Sequence, residues 1–477
     1  MTDEGLIRDD QSVIQVDDRI QSDGYFGTVR YIGVVPPTKG SWVGLEWDDP
    51  SRGKHDGTHE GKKYFQTKHP TGGSFVRPRK VEGGVSCFTA LKSRYGKIDD
   101  ANAGVDTEKL YVVDSNMKQT VVEMVGAKKV NEKQSKLDEL KEVVLREMMV
   151  YGIGPHGPDL KIAAPNIQDL DISRCLLPSW ESISRISDCI PNLRNLNVSE
   201  NKLKCPDNPE EFVLQCSKMF PSLEQLHVCF NCINELVEPN GQLSNLQLLN
   251  LESNSINSWS QVIKLGHLPQ LETLILNSIG IDDVFFPDAK YNENTKLFQN
   301  LKSLSVNSNK ITEWKSINEM NKLQHLEKLK IKNNPIMQSF TVETVRQLFI
   351  AKISSLKECN GTKLLREERR MAEFDYLKRF GPMWLMSGGN QDPSKNNPSE
   401  DFMCQHPRFQ ELIKTTMTVQ KLKTLVQRLY KLEGVYSIDL YYESAKMKGP
   451  EIEMENDLRD LSFYSVESGD TIQVKWS

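Results

Sequence analysis

Leu193-Arg194-Asn195-Leu196-Asn197-Val198-Ser199-Glu200-Asn201-Lys202-Leu203 and Leu223-Glu224-Gln225-Leu226-His227-Val228-Cys229-Phe230-Asn231-Cys232-Ile233 are two copies of one pattern, L-x-x-L-x-L-x-x-N-x-L. It returns at Leu246, Leu249, Leu251, Asn254 and Ile256, at Leu301, Leu304, Val306, Asn309 and Ile311, and at Leu326, Leu329, Ile331, Asn334 and Ile336. Weaker copies carry Met148, Cys175 and Ile279 at the Asn position. With the second apolar residue as origin, the copies start at 143, 170, 196, 226, 249, 274, 304 and 329, spacings of 23 to 30 residues. A period of that size predicts a solenoid in which each unit lays one short strand on a curved parallel sheet. The Asn side chain then satisfies backbone groups where the chain leaves the strand.

The spacing is that of a leucine-rich repeat. Residues flanking the buried Leu positions alternate outward, so Lys328, Lys330 and Lys332 fall on the concave face, beside Ser303, Ser305 and Asn307 of the preceding copy. Three lysines on one strand suit an acidic protein surface, and equally a face that keeps the solenoid solvated. Ile353-Ser354-Ser355-Leu356, Gly361 and the charged stretch Leu364 to Phe380 are positioned to close the last apolar face.

Outward from the repeats, the organisation predicted is multidomain α/β. Residues 1–95 are dense in Gly, Pro and aromatics and read as a small all-β domain. Residues 96–134 form a linker or lead-in with a strand-like run at Leu110 to Val113, 135–380 the solenoid and its cap, 381–415 a second linker, and 416–477 a C-terminal module. In that module Val419, Leu422, Leu425, Val426 and Leu429 have helical spacing, while Ile438 to Tyr442 and Ile472 to Trp476 read as strands. Linkers at about 96–134 and 381–410 make relative domain motion the expectation.

With 477 residues, net charge −5, 38% hydrophobic and 26% charged residues, the composition is that of an ordinary globular chain of about three domains. No run reaches the roughly 18 apolar residues of a membrane helix, and Met1 to Asp10 has neither the basic flank nor the apolar stretch of a signal peptide. Nine scattered cysteines do not describe a disulfide framework, so a reducing, intracellular setting is expected. Gly61 to Val81 contains no acid and carries Lys62, Lys63, Lys68, Arg77, Arg79 and Lys80, which would attract an acidic partner.

Gly53-Lys54-His55-Asp56-Gly57, preceded by Trp42-Val43-Gly44-Leu45-Glu46-Trp47 and followed by Tyr64-Phe65 and Gly73-Ser74-Phe75-Val76-Arg77-Pro78, resembles a CAP-Gly domain over nearly its whole length. The resemblance implies recognition of an acidic C-terminal tail ending in an aromatic residue, as on α-tubulin, by Trp42, Trp47, Gly53, Lys54, His55, Asp56, Gly57, Phe65, Phe75 and Arg77. The residue chemistry agrees: glycines admit a peptide backbone, aromatics form an apolar groove, and Lys54 can pair with a terminal carboxylate. Trp47 and Phe65 serve a domain core equally well. His55 stands where the family pattern usually has Asn, which alters one polar contact or makes it pH-sensitive.

The stretch from about Met417 to Trp476 resembles the helix-to-end portion of a ubiquitin-like α+β domain. The end Trp476-Ser477 lacks Gly-Gly, so a conjugated modifier is not expected. The first hairpin of such a domain is missing, since only His406 to Thr416 precedes the helix; a variant chain such as a splice form, with an incomplete or partner-completed module, is the expectation. The order of the three modules, with Arg366-Glu367-Glu368-Arg369-Arg370 in the cap, resembles the tubulin-specific chaperone E family, also called tubulin-folding cofactor E. That resemblance implies a non-catalytic cytoplasmic and cytoskeletal folding factor, with no cofactor, that binds α-tubulin, assembles the αβ heterodimer with tubulin cofactors B, C and D, and can dissociate it. A proteasome or ubiquitin-system partner is also implied; nucleic acid and membrane are not.

Three other patterns carry little. His55 and His59 are four apart but lie in a Gly-flanked loop, Gly33 to Ser41 has the wrong order for a phosphate loop, and Cys229 and Cys232 form a C-x-x-C without a second pair. A CAP-Gly microtubule-binding adaptor linking tubulin to the ubiquitin pathway is the alternative function, although no long heptad run is present. A deubiquitinating enzyme would need a Cys–His pair on a catalytic fold, whereas most cysteines fall in the repeats and linker.

Overall fold

A computed structural model describes residues 6–96, 111–113, 119–121, 133–203, 220–290, 293–388, 403, 418–430, 437–443, 451–457, 459–464, 466 and 470–476. The chain divides into two compact units, one comprising Met1–Asp283, Thr295–Lys310 and Lys330–Asn333, the other Val284–Asn294, Ile311–Leu329 and Asn334–Ser477.

The first unit opens with a four-stranded antiparallel sheet, in the spatial order Arg19–Ser22, Tyr25–Val34, Ser41–Trp47 and Gly73–Val76. Asp23 and Gly24 both take positive φ, 51° and 82°, which makes the two-residue hairpin turn whose twist matches its strands. One face is closed by Leu6, Ile14, Ile20, Val29, Val43, Leu45 and Trp47. Alternation along Ser41–Trp47 sends Val43, Leu45 and Trp47 inward.

Beyond this sheet, Val85–Ser86 pairs in parallel with Val150–Gly152, and the helix Cys87–Tyr95 follows, capped by Ser86 Oγ accepting the Thr89 N–H at 3.2 Å. Tyr111–Val113 and Gln119–Val121 form an antiparallel pair; the remainder of 97–132 lies outside the described residues.

The solenoid follows the sequence register residue for residue. Val143 pairs with Leu170, Leu170 with Leu196, Leu196 with Leu226, Leu226 with Leu249, Leu249 with Leu274 and Leu274 with Leu304, all in parallel. Each is buried with its neighbours turned outward, because side chains alternate across a strand. The Asn positions form the expected ladder. Asn201 Nδ2 donates to Ile172 O and Val198 O, each at 3.0 Å, while its Oδ1 accepts the Cys175 N–H at 3.0 Å. Asn231, Asn254 and Asn309 repeat the arrangement, bridging one turn to the next. Where Cys175 replaces Asn, its thiol reaches back to Leu145 O at 3.3 Å. Ser305, expected to face outward, is 6% exposed because its hydroxyl donates to Asn277 Oδ1 at 2.7 Å.

In the second unit Leu329 pairs with Cys359, and Asn334 Oδ1 accepts the Ile311 N–H at 3.1 Å. The helix Val342–Lys352 packs against Arg366–Met386 through Leu348, Ala351, Tyr376, Phe380 and Trp384. Arg369 donates to Ile350 O at 2.9 Å, Ile353 O at 3.3 Å and Leu356 O, so one guanidinium closes the end of the shorter helix. The long helix continues through Gly381 to Met386, held there by buried Trp384.

The C-terminal module carries the helix Val419–Tyr430 and three strands in the spatial order Ile452–Glu453, Ile438–Glu443, Thr471–Trp476, all antiparallel. Val419, Val426, Ile438, Leu440, Tyr442 and Met454 form its core. The stretch His406 to Thr416, on which the missing hairpin was inferred, lies outside the described residues.

Candidate functional site

The loop Gly53–Gly57 is laced to the strand Gly73–Val76. Lys54 N–H donates to Gly73 O at 2.7 Å and Gly73 N–H donates to His55 O at 2.7 Å. Gly57 has φ +97°, and a Cβ there would stand 2.2 Å from Phe65 O, so only glycine fits. Asp56 Oδ1 accepts the Thr58 N–H at 3.1 Å, holding the turn that follows.

Above this loop lies a cleft of 470 Å³. Of the residues implied by the resemblance, Trp42, Trp47, Lys54, His55, Phe75 and Arg77 line it, whereas Gly53, Asp56, Gly57 and Phe65 do not. Phe75 is the centre of the aromatic wall. The rings of Tyr31, Trp42, His55, His59, Tyr64 and Phe65 surround it at centroid distances of 5.2 to 6.5 Å. Arg77 lies over Trp42 at 3.8 Å and donates to Lys39 O at 2.8 Å, so its position is set before any ligand arrives. Trp47 and Phe65 are 5% and 8% exposed, which makes both core residues; Trp47 also lines the cleft, and its buried Nε1 has no hydrogen-bond partner among the described residues.

The charge is one-sided. Arg52, Lys54, Arg77 and Lys80 line the cleft against the single carboxylate of Asp23, which is held by Arg52 at 3.2 Å and Lys80 at 3.5 Å. Lys54 is exposed and pairs with no carboxylate among the described residues. His55 Nδ1 accepts the Gly57 N–H at 3.0 Å. Burial first, then the neighbouring His59 and Lys54, lower its pKa below 6.5, against the opposing pull of Asp56. The arrangement sets an apolar aromatic wall beside an ammonium that pairs with no carboxylate among the described residues.

Asp23, Thr38, Arg52 and His59 were not among the expected site residues, and Lys80 was expected only as part of a basic stretch. Arg52 immediately precedes the Gly53-Lys54 motif and Lys80 belongs to the acid-free stretch; these were the available signals. On the solenoid, Lys328 and Lys330 flank buried Leu329 and are exposed, as is Lys332. Toward the other end of the repeats the outward positions are Glu142, Asp169 and Asp171, so the open face is acidic at its start and neutral through Asn195, Gln225 and Thr273.

Residues 16–81 match the family described as the CAP-Gly domain. Over the whole chain, "Tubulin-specific chaperone E" of Xenopus laevis is 41% identical, covering 96% of this chain and 98% of that protein. The Homo sapiens protein of the same name is 39% identical with the same coverage. The alignment with the Xenopus protein runs over 523 positions, more than the 477 residues present here, so that relative carries residues with no counterpart in this chain. Among solved structures, "Bik1 CAP-Gly domain with ETF peptide from Bim1" is 31% identical, covering 14% of this chain and 89% of that one, with a TM-score of 0.13.

Proposed function

The chain belongs to the tubulin-specific chaperone E family, and on that premise we propose that it captures α-tubulin by its acidic C-terminal tail and assists assembly of the αβ heterodimer. The tail enters the cleft with its terminal aromatic against Phe75 and its carboxylate at Lys54. The open solenoid face, with Lys328, Lys330 and Lys332 at one end, takes the folded body. Tubulin cofactors B, C and D act on the captured subunit, the same two contacts allow the heterodimer to be taken apart, and the C-terminal module meets a partner of the ubiquitin system. No bond is made or broken by the chain in this scheme.

The observation that carries the reading is Lys54, paired with no carboxylate among the described residues, beside an aromatic wall in a cleft with four cations and one carboxylate. Its test is titration of the full chain with an acidic peptide ending in tyrosine or phenylalanine. Lys54→Ala should weaken binding by about tenfold, the scale of one charge-assisted hydrogen bond at a solvated site. Equal affinity of both proteins for the peptide would remove the cleft from the scheme.

A further inference from the structure

The all-β domain is joined to the solenoid before the stretch expected to act as a flexible linker begins. Leu6 and Ile14 of the N-terminal arm are buried in the β-domain core. Between them Arg8, 7% exposed, donates from Nε to Gly83 O and from Nη2 to Asp18, each at 2.8 Å, and lies 4.0 Å from the centroid of the Tyr151 ring. Tyr151 sits on the strand Val150–Gly152, which follows the first repeat strand Glu142–Val144; its hydroxyl donates to one oxygen of Asp10, whose other oxygen accepts from Ser12 Oγ at 2.6 Å.

The exit from the β-domain meets the same strand. Gly84, at φ +77°, runs so close to the solenoid that a Cβ would stand 2.1 Å from Met149 O, and the Val85 N–H donates to that oxygen at 3.0 Å. Arm and exit thus grip one strand from two directions.

We propose that Arg8, Asp10, Ser12 and Tyr151 form a clasp that fixes the tail cleft relative to the open face of the solenoid, so that one partner meets two sites at a set separation. The proposal rests on the tail-binding reading above. Tyr151 is a positioning residue: it touches neither site and acts through the arm. Two weak sites at matched spacing reinforce each other without new contacts, and a rigid connection avoids the ordering entropy that a loose tether loses on binding. Hydrogen bonds from Ser12 and Tyr151, together with Arg8, outweigh the effect of burial and keep the Asp10 pKa below its ordinary value, so the clasp is charged at neutral pH.

The test compares the full chain with its Tyr151→Phe and Tyr151→Ala variants. Tyr151→Phe removes the hydroxyl and keeps the ring beneath Arg8; Tyr151→Ala removes both. Affinity for the acidic tail peptide should stay within about twofold in all three, while affinity for intact tubulin should fall about tenfold in Tyr151→Ala and less in Tyr151→Phe. Exchange of the Val85 amide should accelerate in the same order. Unchanged tubulin affinity in both variants would overturn the clasp, and so would a parallel loss of peptide and tubulin binding, which is the signature of a damaged β-domain. Failure of the unaltered chain to bind the peptide would instead overturn the tail reading, and the two-site clasp with it.

Discussion

His55 Nδ1 accepts the Gly57 N–H at 3.0 Å, which fixes the ring as the neutral tautomer carrying its proton on Nε2. The imidazole therefore supplies the loop with an acceptor, as an Asn side chain can, but one that a proton abolishes. A protonated ring would turn a second donor toward the Gly57 N–H while keeping its charge in a half-buried aromatic setting.

The consequence is a pH-dependent β-domain. The unfolded chain takes up this proton near 6.5, whereas burial holds folded His55 neutral to lower pH. The contribution to stability is therefore fully present above about pH 6.5 and declines as pH falls below it toward the folded value. Urea unfolding followed by amide exchange in the strand Ser41–Trp47 should show the decline, and His55→Asn should flatten it. An identical pH profile in the variant would refute the assignment.

The Asn ladder predicts a second outcome. Asn201→Ala leaves Ile172 O and the Cys175 N–H without their buried side-chain partner, while Val198 O keeps the Asn231 Nδ2 donor at 3.2 Å, and each unsatisfied group costs about 1 to 3 kcal/mol. Exchange of the Cys175 amide should accelerate by at least about tenfold, with a smaller effect on distant repeats because contacts run between neighbours.

Gly57→Ala should destabilise the β-domain by at least about 2 kcal/mol, since it combines positive φ with a Cβ placed 2.2 Å from Phe65 O. Tail-peptide affinity should fall with it, because Phe65 supports Phe75 at a centroid distance of 5.3 Å. Wild-type melting behaviour in Gly57→Ala would contradict the close approach.

Arg369 offers a test in the second unit. Arg369→Ala strips Ile350 O and Leu356 O of this side-chain donor and leaves Ile353 O with the Leu356 N–H at 3.3 Å, and Arg369→Lys restores at most a point charge without the planar fork. Both variants should lower the unfolding midpoint of the solenoid cap, alanine more than lysine, read by exchange at Ile350 to Leu356.

The solenoid was readable because a repeat states its own register: the origins chosen from Leu196 and Leu226 are the residues that pair across the sheet. Its outward residues were less so, since the burial of Ser305 depends on Asn277 in the preceding turn. In the cleft, the Gly53–Gly57 motif located Lys54 and His55, and the run Gly73–Pro78 located Phe75 and Arg77. Asp23 reaches the same cleft only because strand pairing folds a distant stretch onto it. His59, set aside as a metal decoy, lies against Phe75 at 6.1 Å; dismissing one chemistry said nothing of another. The contact of Arg8 with Tyr151 joins residues too far apart for any periodicity to connect.

The most direct test of the whole account is native mass spectrometry of the full chain mixed with αβ-tubulin, alone and with cofactor B, after size-exclusion chromatography. The account predicts a complex containing this chain and α-tubulin without β-tubulin, lost when Lys54 is replaced by alanine. Recovery of intact heterodimers or polymer only, with the Lys54→Ala protein binding equally well, would contradict it and favour a microtubule adaptor.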